Sequence, residues 1–321
     1  MSARQTNNRC GIELSFLGFI LNPPTGLSVY FILLIAFILG LMHGITPDEH
    51  TWPITFSYSI GSYSTKGGMK SGFIFSSGFT VQRAILTTLG FVGLATIYIK
   101  FNLDGPVYVL VGVVMFIVGY YLLKGTDLHI PLDRLFGGHV HHSTKSERLP
   151  IQEVESNVKA VPANMAFLHG FIAGWGFGGF STIITFILAP QMPSVFYAPL
   201  VGVLFGLGTM VMQVVIGATF ANIMRVKKLS LEQIKYVGRS TAARTLYLGG
   251  IAFAAIGALV LGFPFIDRIA INTGNPIPNL SSIGVATVLV IMVVGVIGMS
   301  SLYMGYRESV ALQRTKMAES K

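Results

Sequence analysis

Charge is nearly absent from seven stretches of this chain, most of them close to the roughly 20 residues that carry a helix across a bilayer core. They lie near residues 26–45, 71–98, 105–124, 162–189, 199–224, 245–263 and 283–306. Hydrophobic residues make up 52% of the chain and charged residues 11%, against about 25% charged in ordinary globular proteins. Too little charge remains to solvate a soluble fold of 321 residues. The expected architecture is all-α: a polytopic transmembrane helix bundle of about seven spans, multi-pass in a cell membrane, with the lipid bilayer as its main partner. The semi-polar stretch 46–70 admits an eighth element, re-entrant or a short second helix, which would move the N-terminus to the other side.

The 22 Lys and Arg against 13 Asp and Glu give a net charge of +9. These cations lie mostly between the apolar stretches. Lys124, Arg134, Lys145, Arg148 and Lys159 fall in 123–161, and Arg225, Lys227, Lys228, Lys235, Arg239 and Arg244 in 225–244. The tail 307–321 has Arg307, Arg314, Lys316 and Lys321, whereas 190–194 has none and 263–282 only Arg268. Basic loops stay in the cytoplasm, so both basic loops and the C-terminus are expected there. No basic stripe interleaved with aromatics supports nucleic-acid binding. Cys10 is the lone cysteine, which excludes an internal disulfide and a two-thiol carrier. Residues 1–25 read as an interfacial segment: Glu13 interrupts the apolar run that follows Arg4 and Arg9, and no small-residue cleavage site follows.

The remaining chain divides into a first membrane half (26–124), a cytoplasmic loop containing histidines (125–161), a second membrane half (162–306) and a cytoplasmic tail (307–321). A weak internal repeat links the halves. Leu41-Met42-His43-Gly44 is echoed by Phe167-Leu168-His169-Gly170, and Gly78 through Gln82 by Gly208 through Gln213. Internal repeats around a midplane site are a frequent transporter plan.

Chemistry concentrates in His43-Gly44-Ile45-Thr46-Pro47-Asp48-Glu49-His50, at the end of an apolar run where ionisable groups are expensive and usually functional. On an unbroken helix His43 and His50 stand about 10 Å apart, too far for one metal with bonds near 2 Å. Pro47 withdraws a donor and crowds the preceding turn, and a break there would bring both imidazoles and a carboxylate together. The same residues also read as an N-terminal capping box, with Thr46 as cap, Pro47 first in the helix and Glu49 reaching back. That reading accounts for neither histidine.

Residues Gly40 to His43 and Asp48 to His50 resemble the signature H-x-x-x-x-D-H of the nickel/cobalt transporter (NiCoT/NicO) families. Gly72-Phe73-Ile74-Phe75-Ser76-Ser77-Gly78-Phe79-Thr80-Val81 is similar to their G-F-F-F-S-L-G-H-S-T-V motif. The resemblance implies a distant member of a metal-transporting membrane family, with His43, Asp48 and His50 as the metal-selecting residues. This chain departs from the pattern in three places. Glu49 is inserted between Asp48 and His50, Phe79 stands where the family has histidine, and Gly176 to Thr182 follows the motif G-F-D-T-A-T-E without its acids.

Arg83 lies about 12 residues into its apolar stretch, where an unpaired charge costs about 2.5–3.5 kcal/mol, so a carboxylate partner is expected, with Asp48 nearest by motif. Such a pair reads as a gate on Asp48, as the counter-ion of an anionic substrate, or as a strut between helices. Glu49, Gln82, His169 and Gln213 are secondary site candidates; both glutamines also read as bridges between helices. His139, His141 and His142 form a loop tract that reads first as a solvated loop, though tracts of this kind can collect metals, and His129 reads as solvated. Gly174 to Gly179 precedes no soluble strand–helix unit and reads as close helix packing rather than a dinucleotide loop.

The leading expectation is a secondary permease or exporter, not an enzyme, whose substrate is a divalent transition metal such as nickel or cobalt, with no resident cofactor. The chain lacks a nucleotide-binding signature. Alternatives are a permease or exporter for an anion or small polar solute with Arg83 as counter-ion, an intramembrane metal-dependent hydrolase, and an accessory protein for nickel-enzyme maturation. Homo-oligomers are left open.

Overall fold

The computed structural model describes residues 16–101, 103–124, 163–223 and 229–319. The loop 125–161 with its histidine tract, and Cys10, lie outside the described residues. The fold is mostly helical. Its principal elements are α1 (Val29–Ile45), α2 (Trp52–Gly61), α3 (Thr65–Phe91), α4 (Asp104–Lys124), α5 (Ala163–Ala173), α6 (Gly179–Gln191), α7 (Ala198–Asn222), α8 (Leu231–Gly262) and α9 (Val285–Thr315). Four of these, α4, α7, α8 and α9, are long and apolar enough to cross a membrane. A two-residue antiparallel hairpin, β1 (Ile271–Asn272) and β2 (Ser282–Ile283), links α8 to α9 and pairs Ile271 with Ile283.

Glycines set how the helices meet, because a missing Cβ lets backbones approach closely. Gly112 lies against Gly250 and Ala254, and Gly119 against Tyr247, so α4 and α8 run antiparallel. In α3 and α7, Gly72 lies on the Gln213 carbonyl and Gly202 on the Arg83 carbonyl, again antiparallel. A shift of 130 residues converts one of these contacts into the other. Helix α1 runs parallel to α7, with Gly40 on the Phe205 carbonyl and Gly44 on Thr209. Likewise α5 runs parallel to α3, with Gly170 on the Phe75 carbonyl and Gly174 on Gln82. The faint sequence repeat is therefore a repeat of packing, its second copy inverted.

Each copy opens with an interrupted helix. Helix α1 ends at Ile45, and α2 resumes the same course along α7, where Thr55 meets Gln213 and Ser59 faces Gly217. Thr46 is extended, at ψ 143, as a residue before proline tends to be. The new helix starts only at Trp52, preceded by Thr51, whose hydroxyl makes no capping bond, with Pro53 in its first turn. This corrects the capping-box reading: Pro47 lies before the helix, the proline of its first turn is Pro53, and Thr46 donates from Oγ1 to the His43 carbonyl at 3.1 Å. In the second copy, α5 stops at Ala173 and α6 begins at Gly179. Gly174, Gly176 and Gly178 lie between them, and each glycine costs a helix about 1 kcal/mol relative to alanine. The stretch expected as one span at 162–189 is thus two short helices. The stretch 71–98 also differs, since α3 ends at Phe91 and Gly93 turns the chain at φ +78.

The helix directions gather most of the described basic residues toward one end of the bundle. Lys66, Lys70, Lys124, Lys235, Arg239, Arg244, Arg307 and Arg314 lie in the halves of their helices nearer that end; Lys100 and Arg268 lie at the other, and Arg83 lies between. Near the basic end, Arg244 donates to both Glu308 oxygens at 2.8 Å, tying α8 to α9.

Candidate functional site

The two interruptions face each other. Gly176 lies directly against the His50 imidazole, where a side chain would collide with the ring. Tyr108 of α4 stacks on the same ring at 5.2 Å and 12°. Between the interruptions and the α8–α9 hairpin is a cavity of about 300 Å³. Its walls carry His43, Asp48, Glu49, His50, Arg83, Asp104, Asp267 and Asn279. Four carboxylates thus share a small space with one guanidinium.

Residues 46–51 place donor atoms on both sides of the turn. The Asp48 Oδ1 accepts from the His50 backbone N–H at 3.0 Å, and its Oδ2 lies 3.5 Å from His43 Nε2. Asn279 reaches down from the hairpin and donates to Asp48 Oδ2 at 3.3 Å and to Thr46 Oγ1 at 3.2 Å. Glu49 Oε1 lies 2.9 Å from His50 Nδ1 and accepts from the Tyr108 hydroxyl at 3.3 Å. An ionised Glu49 only accepts, so Nδ1 carries the proton, and whenever the ring is neutral its lone pair is on Nε2. That Nε2 is buried and has no hydrogen-bond partner. Histidines that bind metals commonly present themselves this way, one nitrogen donating to a carboxylate and the other free.

Asp48, Glu49 and His50 each offer a donor atom within 4.8 Å of the others. Two donors on one metal lie at most about 4.2 Å apart, twice a bond of about 2.1 Å. The widest separation in the trio therefore exceeds that bound by no more than about 0.6 Å. Of the residues expected to bind metal, Asp48 and His50 fall within this group. His43 touches Asp48 but stands among Phe79, Phe180 and Phe205, at ring distances of 5.3, 5.7 and 5.2 Å. Glu49, ranked second in the sequence, sits in the trio instead.

Arg83 is buried but does not ion-pair with Asp48, so the expected contact is corrected. Its Nη2 donates to the Gly176 carbonyl at 3.2 Å, and its guanidinium lies 4.5 Å from the Phe79 ring centre and 5.7 Å from that of Phe205. The buried Gly176 carbonyl, which lies between α5 and α6 and outside either helix, makes this arrangement available where the sequence pointed to a carboxylate. Phe79, where the resembled motif has histidine, packs on both His43 and Arg83.

The other candidates lie off the cavity. Gln213 accepts from Thr55 Oγ1 at 2.7 Å and donates to the Gly44 carbonyl at 3.2 Å, clamping both parts of the first interrupted helix to α7. His169 meets the Tyr58 hydroxyl at 2.6 Å through Nδ1. Gln82 is buried, with neither amide atom hydrogen-bonded. Sequence reasoning missed Tyr108, Asp104, Asp267 and Asn279. Asp104 carried a signal, an acid opening an apolar span; the hairpin residues carried none, because nothing local says that 263–284 folds over the site. Burial, with the Glu49 carboxylate nearby, raises the Asp267 carboxyl above its ordinary range.

Comparison with known proteins finds no matching family model, no matching curated protein and no matching solved structure.

Proposed function

We propose that the chain is a membrane transporter whose substrate is a divalent transition-metal ion, nickel or cobalt by the resemblance of its His43–His50 motif, taken up where the two interrupted helices meet. Counted with each interrupted pair as one span, the helices make seven, with the basic end in the cytoplasm. Inverted repeats with discontinuous helices around a central site are a recurring transporter plan, and non-helical backbone at membrane depth is tolerated where it lines a cavity. The observation that carries the reading is His50. Its Nδ1 is held by Glu49 and its buried Nε2 has no partner, beside Asp48 and among four carboxylates. Imidazole nitrogen with carboxylate oxygen suits borderline divalent metals. On this reading Asp48 and the His50 Nε2 take the ion, Glu49 orients the His50 ring through Nδ1, and His43 supports Asp48. The carboxylates give the cavity a negative balance, which favours a cation over an anion as the principal substrate.

Titration of nickel and cobalt into the purified protein tests this. Wild type should bind, and His50→Ala should bind at least about tenfold more weakly. Equal binding by the two proteins, or none by wild type, contradicts the reading.

A further inference from the structure

Arg83 is the one group on the cavity wall that metal binding alone leaves unexplained. It lies in the middle of α3 with 2% of its surface exposed. Of its nitrogens, Nη2 has the Gly176 carbonyl, while Nε and Nη1 have no hydrogen-bond partner. A guanidinium carries five N–H donors, so the three on Nε and Nη1 are buried and unmet. Phe79 and Phe205 support the charge through their ring faces, but they accept no conventional hydrogen bonds. Asp48 and Glu49 line the same cavity and do not close on it. A buried cation and buried donors without partners carry a large penalty, and a fold keeps them where something else completes them.

Placing a divalent ion at Asp48 and His50 makes the problem worse, because two positive charges then share a cavity of about 300 Å³. An anion between them removes it. It would take the N–H groups of Arg83 on one side and fill an open coordination position of the metal on the other. We propose that Arg83 is the binding site for a small oxygen-bearing monoanion, a carboxylate or bicarbonate, that enters the cavity with the metal and ligates it. This inference rests on the metal reading above and adds the co-ligand to it. Oxygen is favoured over halide because the unmet donors point in several directions, and an oxyanion offers several acceptor lone pairs to a planar guanidinium. It also explains why Arg83 lies against the Gly176 carbonyl instead of on Asp48: that position leaves Asp48 free for the cation and keeps the guanidinium at the cavity wall.

The test is nickel binding to the purified full chain at constant ionic strength in a methanesulfonate background, with acetate, bicarbonate or chloride added in turn. Acetate or bicarbonate should tighten nickel binding by about tenfold, and chloride should do so markedly less. Arg83→Gln should lose this dependence and Arg83→Lys, which keeps the charge, should retain part of it. Nickel binding that is the same in every anion overturns the co-ligand while leaving the metal reading in place. Chloride matching acetate overturns the oxyanion assignment. Absence of nickel binding in all anions overturns both readings. Should Arg83→Gln fail to fold, the wild-type anion series and Arg83→Lys still decide the matter.

Discussion

Replacing Gly176 by alanine isolates the contact between the two interrupted helices. Gly176 is not among the described glycines with positive φ, which are Gly26, Gly93 and Gly274, so alanine meets no backbone penalty there. The new Cβ instead falls on the His50 ring. Ordinary carbon contact begins near 3.5 Å, and restoring it requires the ring or the Gly174–Gly178 segment to retreat by about 1 Å. The ring has little room, because Tyr108 stacks on it at 5.2 Å and Glu49 holds its Nδ1 at 2.9 Å. Metal bonds tolerate about 0.2 Å, so a shift of that size takes Nε2 out of bonding range. Overpacking of this kind costs about 1–3 kcal/mol. At about 1.4 kcal/mol per tenfold, that is a loss of about 5- to 150-fold in nickel affinity if the strain falls on the bound state. Nickel titration reads the affinity, and thermal unfolding without nickel reports whether the fold has survived. A Gly176→Ala protein that folds and binds nickel as tightly as wild type would refute the placement of His50 as a ligand.

Gln213→Leu strands Thr55 Oγ1 and the Gly44 carbonyl, at about 1–3 kcal/mol for each buried group; a clear drop in the unfolding temperature is expected, and none if Gln213 is no clamp. Gly72→Leu and Gly202→Leu should destabilise to similar extents, about 1–3 kcal/mol or more, because the inverted repeat gives them equivalent carbonyl contacts; tolerance of one and loss of the other would break the equivalence. Reporters inserted at Ser230 and at the C-terminal tail should be on the cytoplasmic side, and one at Gly274 on the other; Ser230 and Gly274 on the same side would contradict the helix directions.

The class of fold was legible because it depends on composition and run length, and both survive without any knowledge of contacts. Pro47 marked the first interruption, since its effect on the preceding turn is local. The second was harder to see: the glycines from Gly174 to Gly179 serve helix packing and helix breaking equally well, and only the approach of His50 and Arg83 to Gly176 separates the two. Asp48 and His50 stood out because ionisable groups are costly in an apolar run. The role of Glu49 depends on Tyr108, some sixty positions away, and that of Asn279 on a hairpin more than two hundred positions away. Contacts so distant leave no trace in local pattern. Arg83 was correctly singled out as needing a partner, but the carbonyl it found belongs to backbone, which has no sequence signature.

Transport itself tests the central claim most directly. Purified protein reconstituted in liposomes, with nickel outside and a nickel-sensitive dye within, gives the rate of entry. Wild type should fill the vesicles faster than protein-free liposomes, and His50→Ala should fall to the protein-free rate. Nickel entry by His50→Ala at the wild-type rate, or wild-type entry no faster than bare lipid for both nickel and cobalt, would contradict the account.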